Sequence, residues 1–169
     1  MHKTLLIAGS ILIILLPLFI ACESTPASDT GPRGLDIRPI DDADPSITWG
    51  GKWEVQENPG ASGGTLTAAP PEGSAATFDA SITLNFTGTV TSIRHIAAPY
   101  CGRMSVCIDG VDYPPIDMYS AEPEMKTTVI AHDLENKEHI LVLSHINEKN
   151  SASTNYVVGI DVIEVTRPY

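Results

Sequence analysis

The sequence predicts an all-β domain, an antiparallel β-sandwich or jelly roll, placed after an N-terminal signal helix and a flexible linker. Three observations carry that expectation. Apolar and polar residues alternate with period two along several segments, most clearly from Arg103 to Ile108 and from Ile82 to Phe86, the pattern of a half-buried strand. Proline or glycine punctuates much of the chain at intervals of roughly 8–12 residues, as in a sandwich of short strands. No window beyond the leader carries the 3.6-residue apolar period of an amphipathic helix.

The leader comes first. His2-Lys3 is a short positive region, and Leu5 to Ile20 is apolar except at Gly9, Ser10 and Pro17. Phe19-Ile20-Ala21-Cys22 follows, with a small residue just before the cysteine. This is the build of a secretory signal, too short to span a membrane with flanks of its own. It also resembles a bacterial lipobox, in which Cys22 is acylated and becomes the first mature residue. Phe19 stands where leucine is usual. Residues 1–21 are therefore read as a lipoprotein-type signal peptide, with membrane attachment through lipidated Cys22 and the domain outside the cytoplasm.

Residues 22–43 read as a flexible tether, because Ser, Thr, Pro, Gly and Asp dominate and little apolar surface is available to offset the entropy of ordering. Order from about Leu35 onward is the variant of this reading. Residues 44–169 are the sandwich domain, long enough for eight or nine strands and one core.

Charge narrows the partners. The chain has 10 Lys and Arg against 21 Asp and Glu, a formal −11. Without Lys3 the balance is nine against 21, or −12. Such acidity excludes nucleic acid and anionic lipid head groups as docking partners. No Asp-x-Asp-x-Asp-Gly loop marks a calcium site.

Within the domain, Ile47-Thr48-Trp49 and Lys52-Trp53-Glu54-Val55 are β-prone segments about Gly50-Gly51. Asn58-Pro59-Gly60 and Gly63-Gly64 are turns. Thr65 to Thr67, Ile82 to Phe86 and Val90 to Ala97 continue the series. Met104, Val106 and Ile108 form one face of the next strand, and Asp109-Gly110 supplies a tight type I′ hairpin turn. Val111 to Tyr113 returns, and Pro114-Pro115 is expected to stop it. Lys126 to Ala131, Glu138 to His145 and Tyr156 to Val165 complete the strands, the last two suited to sheet centres. Cys101 and Cys107 are about 20 Å apart on an extended chain. They are free thiols unless a sharp turn at residues 99–102 brings their Cα atoms within about 7 Å.

The order of these segments resembles a known family. Ile47-Thr48-Trp49 with Trp53, Ala75-Ala76-Thr77-Phe78, Phe86-Thr87-Gly88-Thr89, Val106-Cys107-Ile108-Asp109-Gly110, Asp117-Met118-Tyr119-Ser120, Glu138-His139-Ile140-Leu141 and Gly159 to Val165 follow one another as in galactose-binding-domain-like jelly rolls. Such modules resemble the non-catalytic carbohydrate-binding modules attached to bacterial glycosidases. Cys107 departs from the bulky residue common at its place, and Asp79-Ala80-Ser81 looks like an insertion. The resemblance implies a carbohydrate or cell-surface glycan as partner, with sites in loops at one end of the sandwich or on its concave face.

A sugar site needs aromatic faces for the pyranose and amides, carboxylates or guanidinium for its hydroxyls. Trp53, Arg94, Tyr100, Tyr119, Asn147, Asn150 and Asn155 are the candidates. Against this, Trp49 and Trp53 lie in strand segments where tryptophan packs the core. The polar run from Asn147 to Asn155 reads more readily as a solvated connection than as a binding loop. The resemblance also implies a structural calcium near the terminal strands, with Asp161 as its ligand. A hydrogen bond to a loop backbone is the plainer role for that carboxylate.

Catalysis is not expected. The histidines are His2, His95, His132, His139 and His145, and neither His-x-x-x-His nor Cys-x-x-Cys occurs. There is no Gly-x-Ser-x-Gly elbow. His139 is read as a packing or hydrogen-bonding residue. The rival expectations are an assembly lipoprotein contacting another surface protein, and a small glycoside hydrolase with a facing carboxylate pair.

Overall fold

A computed structural model describes residues 34–70, 75 and 77–168. The signal segment and the start of the tether lie outside them. Among the described residues the strands are β1 (Leu35–Asp41), β2 (Ile47–Gly50), β3 (Glu54–Glu57), β4 (Thr65–Ala69), β5 (Ser81–Gly88), β6 (Val90–Ala97), β7 (Gly102–Ile108), β8 (Val111–Asp117), β9 (Glu124–Ala131), β10 (Lys137–Lys149) and β11 (Val158–Pro168). A 3₁₀ turn at Ser62–Gly64 leads into β4. No described helix is long and apolar enough to cross a membrane.

The strands form an antiparallel β-sandwich. One sheet runs β3-β4-β11-β6-β9, with β1 also paired to β11, and the other runs β2-β5-β10-β7-β8. The period-two pattern is what buries one face of each. Met104, Val106 and Ile108 on β7 pack inward, as do Leu141 and Leu143 on β10 and Ile82, Leu84 and Phe86 on β5. Ile93, Ile160, Ile163 and Val165 meet them from the other sheet. β10 and β11 are central strands, as their apolar runs predict.

The sequence reading is corrected at three places. Leu35–Asp41 is a strand of the sandwich rather than tether, because Ile40 enters the core opposite Ile163. Pro114-Pro115 does not end β8, which continues to Asp117. β8 is an edge strand, where a missing donor is tolerated, and the register against β7 shifts at this point. Asn147 belongs to β10, in an irregularity between Ile146 and Lys149, rather than to a loop. Cys101 and Cys107 are both free.

The Asp109-Gly110 turn forms as expected, with both residues at positive φ (53° and 80°). It is latched to β10. Asp109 Oδ1 accepts the Ile140 N–H at 2.8 Å, and Asp109 Oδ2 lies 2.7 Å from His139 Nδ1. His139 Nε2 faces the Glu135 carbonyl at 2.8 Å. Since neither partner can donate when Asp109 is ionised, both ring nitrogens donate and the ring is an imidazolium. Burial pulls the His139 pKa down, but the Asp109 carboxylate and the Glu135 carbonyl outweigh it and leave the net shift upward. A raised histidine stabilises fully below its unfolded pKa and loses that contribution as pH rises through the folded value. The melting temperature is therefore expected to fall as pH rises above the ordinary histidine value, and His139→Gln to flatten that fall. An identical slope in the variant would remove the latch.

Candidate functional site

Three connections meet at one end of the sandwich: residues 98–101 between β6 and β7, 118–123 between β8 and β9, and 150–157 between β10 and β11. Backbone hydrogen bonds lace them together. Ala98 N donates to Met118 O (3.1 Å) and Met118 N to Gly102 O (3.1 Å). Thr154 N donates to Pro99 O (2.9 Å), Val157 N to Tyr100 O (3.1 Å) and Gly102 N to Val157 O (2.8 Å). Ser153 Oγ adds a bond to Cys101 O at 2.7 Å. Gly102 makes the close approach possible, because a Cβ there would sit 2.8 Å from Tyr156 O.

Side chains on this frame form a polar centre. Arg103 at the start of β7 holds Asp117 at the end of β8, Nη2 to Oδ2 at 2.9 Å. Asn150 Nδ2 donates to the same oxygen at 3.1 Å, and Tyr119 N donates to Asp117 Oδ1 at 3.1 Å. Burial would raise the Asp117 pKa, but Arg103 and these donors outweigh it and hold it below the usual carboxylate range. Beside this centre Lys149 Nζ lies 4.9 Å over the Tyr156 ring, a cation–π contact. Phe78 meets Tyr156 edge-on at 5.3 Å and His145 at 4.9 Å.

Of the residues expected to bind ligand, Tyr100, Tyr119, Asn147, Asn150 and Asn155 belong to this end. Tyr100 is exposed and Tyr119 half-buried. Asn155 is exposed, with Oδ1 accepting the Tyr156 N–H at 2.9 Å. Arg103, Asp117, Lys149, Tyr156 and Phe78 were not singled out by the sequence. Asp117 is two residues from Tyr119 and carried that much signal. Phe78 owes its place to a positive φ of 55°, which no local pattern announces.

Trp53 and Arg94 lie elsewhere. Trp53 packs edge-on against Trp49 at 4.7 Å and donates from Nε1 to Gly50 O at 2.8 Å. Arg94 meets Asp161 Oδ2 at 3.0 Å and donates to Gly60 O at 2.7 Å. Asp161 sits where β11 exchanges one edge partner, β4, for another, β1, and where its register with β6 shifts. That irregularity turns a carboxylate into the interior, where it is fully buried. Ser62 N donates to its Oδ1 at 2.8 Å, the loop-backbone bond of the plainer reading.

Asp41, Asp42 and Asp161 offer carboxylate oxygens within 4.8 Å of one another, a spacing at which they can share a metal ion. Asp42 Oδ1 is buried without a hydrogen-bond partner. Other oxygens of the set are already engaged. Asp42 Oδ2 takes the Thr67 hydroxyl at 2.6 Å, and Arg94 supplies positive charge to Asp161. Calcium takes six to eight oxygens, so this set fits a calcium ion poorly unless Arg94 leaves.

No family model matches the chain, and no curated protein matches it in sequence. Solved structures do. A xanthan lyase of Paenibacillus is 19% identical with a TM-score of 0.58, over 75% of this chain and 13% of the lyase. A family two carbohydrate esterase from Cellvibrio japonicus is 15% identical with a TM-score of 0.54, over 79% of this chain and 34% of the esterase. A family 35 carbohydrate-binding module from Clostridium thermocellum is 17% identical with a TM-score of 0.50, over 76% of this chain and 98% of the module. The chain thus spans about a third or less of the two enzymes. The likeness is one of fold.

Proposed function

We propose that the protein is an exported, lipid-anchored surface protein whose sandwich binds a glycan at its loop end without chemistry. One observation carries the reading: the three laced loops include exposed Tyr100 and half-buried Tyr119, and the Tyr119 N–H bonds Asp117 of the Arg103–Asp117–Asn150 centre. Aromatic faces next to fixed polar groups are what a pyranose requires. The fold supports it, since the chain covers nearly all of a carbohydrate-binding module. Catalysis finds no support in Asp117, which Arg103 and Asn150 hold ionised and unfit to deliver a proton. Attachment through Cys22 and a position outside the cytoplasm are part of the proposal, and both rest on the leader sequence.

The test is binding of the full-length chain, in mild detergent, to a panel of polysaccharides. Saturable binding is expected, weakened roughly tenfold by Tyr119→Ala or Tyr100→Ala, the cost of one stacking ring. Calcium or a chelator is expected to change neither the affinity nor the melting temperature, because Arg94 already pairs with Asp161 of the aspartate cluster. A calcium-raised melting temperature would restore the structural-calcium reading. No binding across the panel would favour a protein-contacting lipoprotein, for which exposed Val111 and Ile140 flanking the Asp109-Gly110 turn are the supporting observation.

A further inference from the structure

A second cleft lies away from the loop end, along the edge formed by β2, β3 and the segment after β1. It has a volume of about 380 Å³ and is lined by Asp42, Asp44, Pro45, Ile47, Trp49, Trp53, Val55 and others. That size is within the range of small-ligand sites. Its two walls differ in chemistry. One is the Trp49–Trp53 pair, whose rings meet at 4.7 Å. Trp53 Nε1 is committed to Gly50 O, so Trp53 offers ring surface rather than a donor.

The other wall is negative. Asp42 is 4% exposed, its Oδ1 has no hydrogen-bond partner, and Asp41 and Asp161 lie against it. Asp44 stands at the rim. Two guanidinium groups answer these four carboxylates: Arg94 is held on Asp161, and Arg38 acts on Asp44 from a distance. The cleft therefore keeps an excess of negative charge behind low-dielectric walls, where its field is strongest. Burial, reinforced by the neighbouring acids, raises the Asp42 pKa even though the Thr67 hydroxyl opposes it. A positive charge in the cleft would relieve that strain.

We propose that this cleft is a second binding site, for the protonated amine of an amino sugar in a cationic glycan. Asp44 meets the ammonium at the rim, Asp42 attracts it from the floor, and Trp49 and Trp53 pack the sugar and add cation–π attraction. The two indoles favour a sugar ring over a bare metal ion, which would gain nothing from them. The site uses none of the loop-end residues, so either site stands if the other fails.

The probe is a glucosamine tetramer, titrated calorimetrically into the full-length chain and compared with the uncharged N-acetylglucosamine tetramer. The charged tetramer is expected to bind roughly tenfold more tightly, the worth of one charge paired at a partly desolvated site. Asp44→Asn should weaken it by about fivefold or more, while Tyr119→Ala leaves it unchanged. Asp42→Asn should weaken it further. Where that variant does not fold, Asp44→Asn alone decides, because Asp44 lies at the cleft rim. Equal affinity for the two tetramers, no binding, or loss on Tyr119→Ala would overturn the proposal. Exclusion of the tetramer by calcium would assign the carboxylates to a metal, and a lysine peptide that binds equally well would assign the cleft to protein.

Discussion

Replacing Arg94 with alanine is expected to lower the melting temperature by roughly 10 °C, corresponding to about 2–3 kcal/mol in a domain of this size. Asp161 is fully buried, and only Arg94 and the Ser62 N–H answer its charge. Removing one partner of a buried pair leaves an uncompensated ion and costs about 3–5 kcal/mol. The lower figure holds here because Arg94 is 34% exposed, so water screens part of the interaction. Burial already raises the Asp161 pKa against the opposing pull of Ser62 and Arg94. Losing the guanidinium should raise it further, so the variant should recover part of its loss on acidification. Thermal melts of Arg94→Ala and Asp161→Asn, with the double variant closing the cycle, measure the coupling. A change below about 2 °C would mean the pair is dispensable.

Gly102→Ala is expected to cost about 2–3 kcal/mol and to abolish most of the glycan binding proposed for the loop end. The added Cβ would lie 2.8 Å from Tyr156 O and 3.0 Å from Tyr156 C and Cα. Those are backbone atoms, which no rotamer change can clear. The 150–157 connection would have to retreat, breaking the Gly102 N to Val157 O bond and loosening the Met118 bond to Gly102 O. Asn150 would then draw away from Asp117. The affinity loss should therefore exceed that of Tyr119→Ala, with both read on the same glycan. Full binding by the alanine variant would place the site elsewhere.

The fold was largely legible because period-two alternation reports burial directly. Met104, Val106 and Ile108 announce β7, and Asp109-Gly110 announces its turn through the backbone angles it tolerates. β1 was harder to read because only Ile40 of its residues is fully buried, so composition suggested a tether. Pro114-Pro115 misled because a proline's cost depends on whether the strand is at an edge, which is a property of sheet order. The candidate site was legible in half. Tyr100, Tyr119, Asn150 and Asn155 stand in segments whose polarity marks them as connections. Arg103 reads as a strand residue, and its meeting with Asp117 depends on β7–β8 register after a shift. Trp53 and Arg94 had the right chemistry for sugar, yet tertiary contacts place Trp53 in an indole pair away from the loop end and commit Arg94 to Asp161.

β1 begins opposite the far end of β11, with Leu35 paired to Pro168, whereas β11 starts beside the laced loops. The two ends of β11 are about 35 Å apart at about 3.3 Å per residue. The polypeptide leading back to Cys22 therefore joins the sandwich at the pole farthest from Tyr100 and Tyr119. For a chain held through that cysteine, the point of attachment and the loops proposed to bind glycan lie at opposite ends of β11.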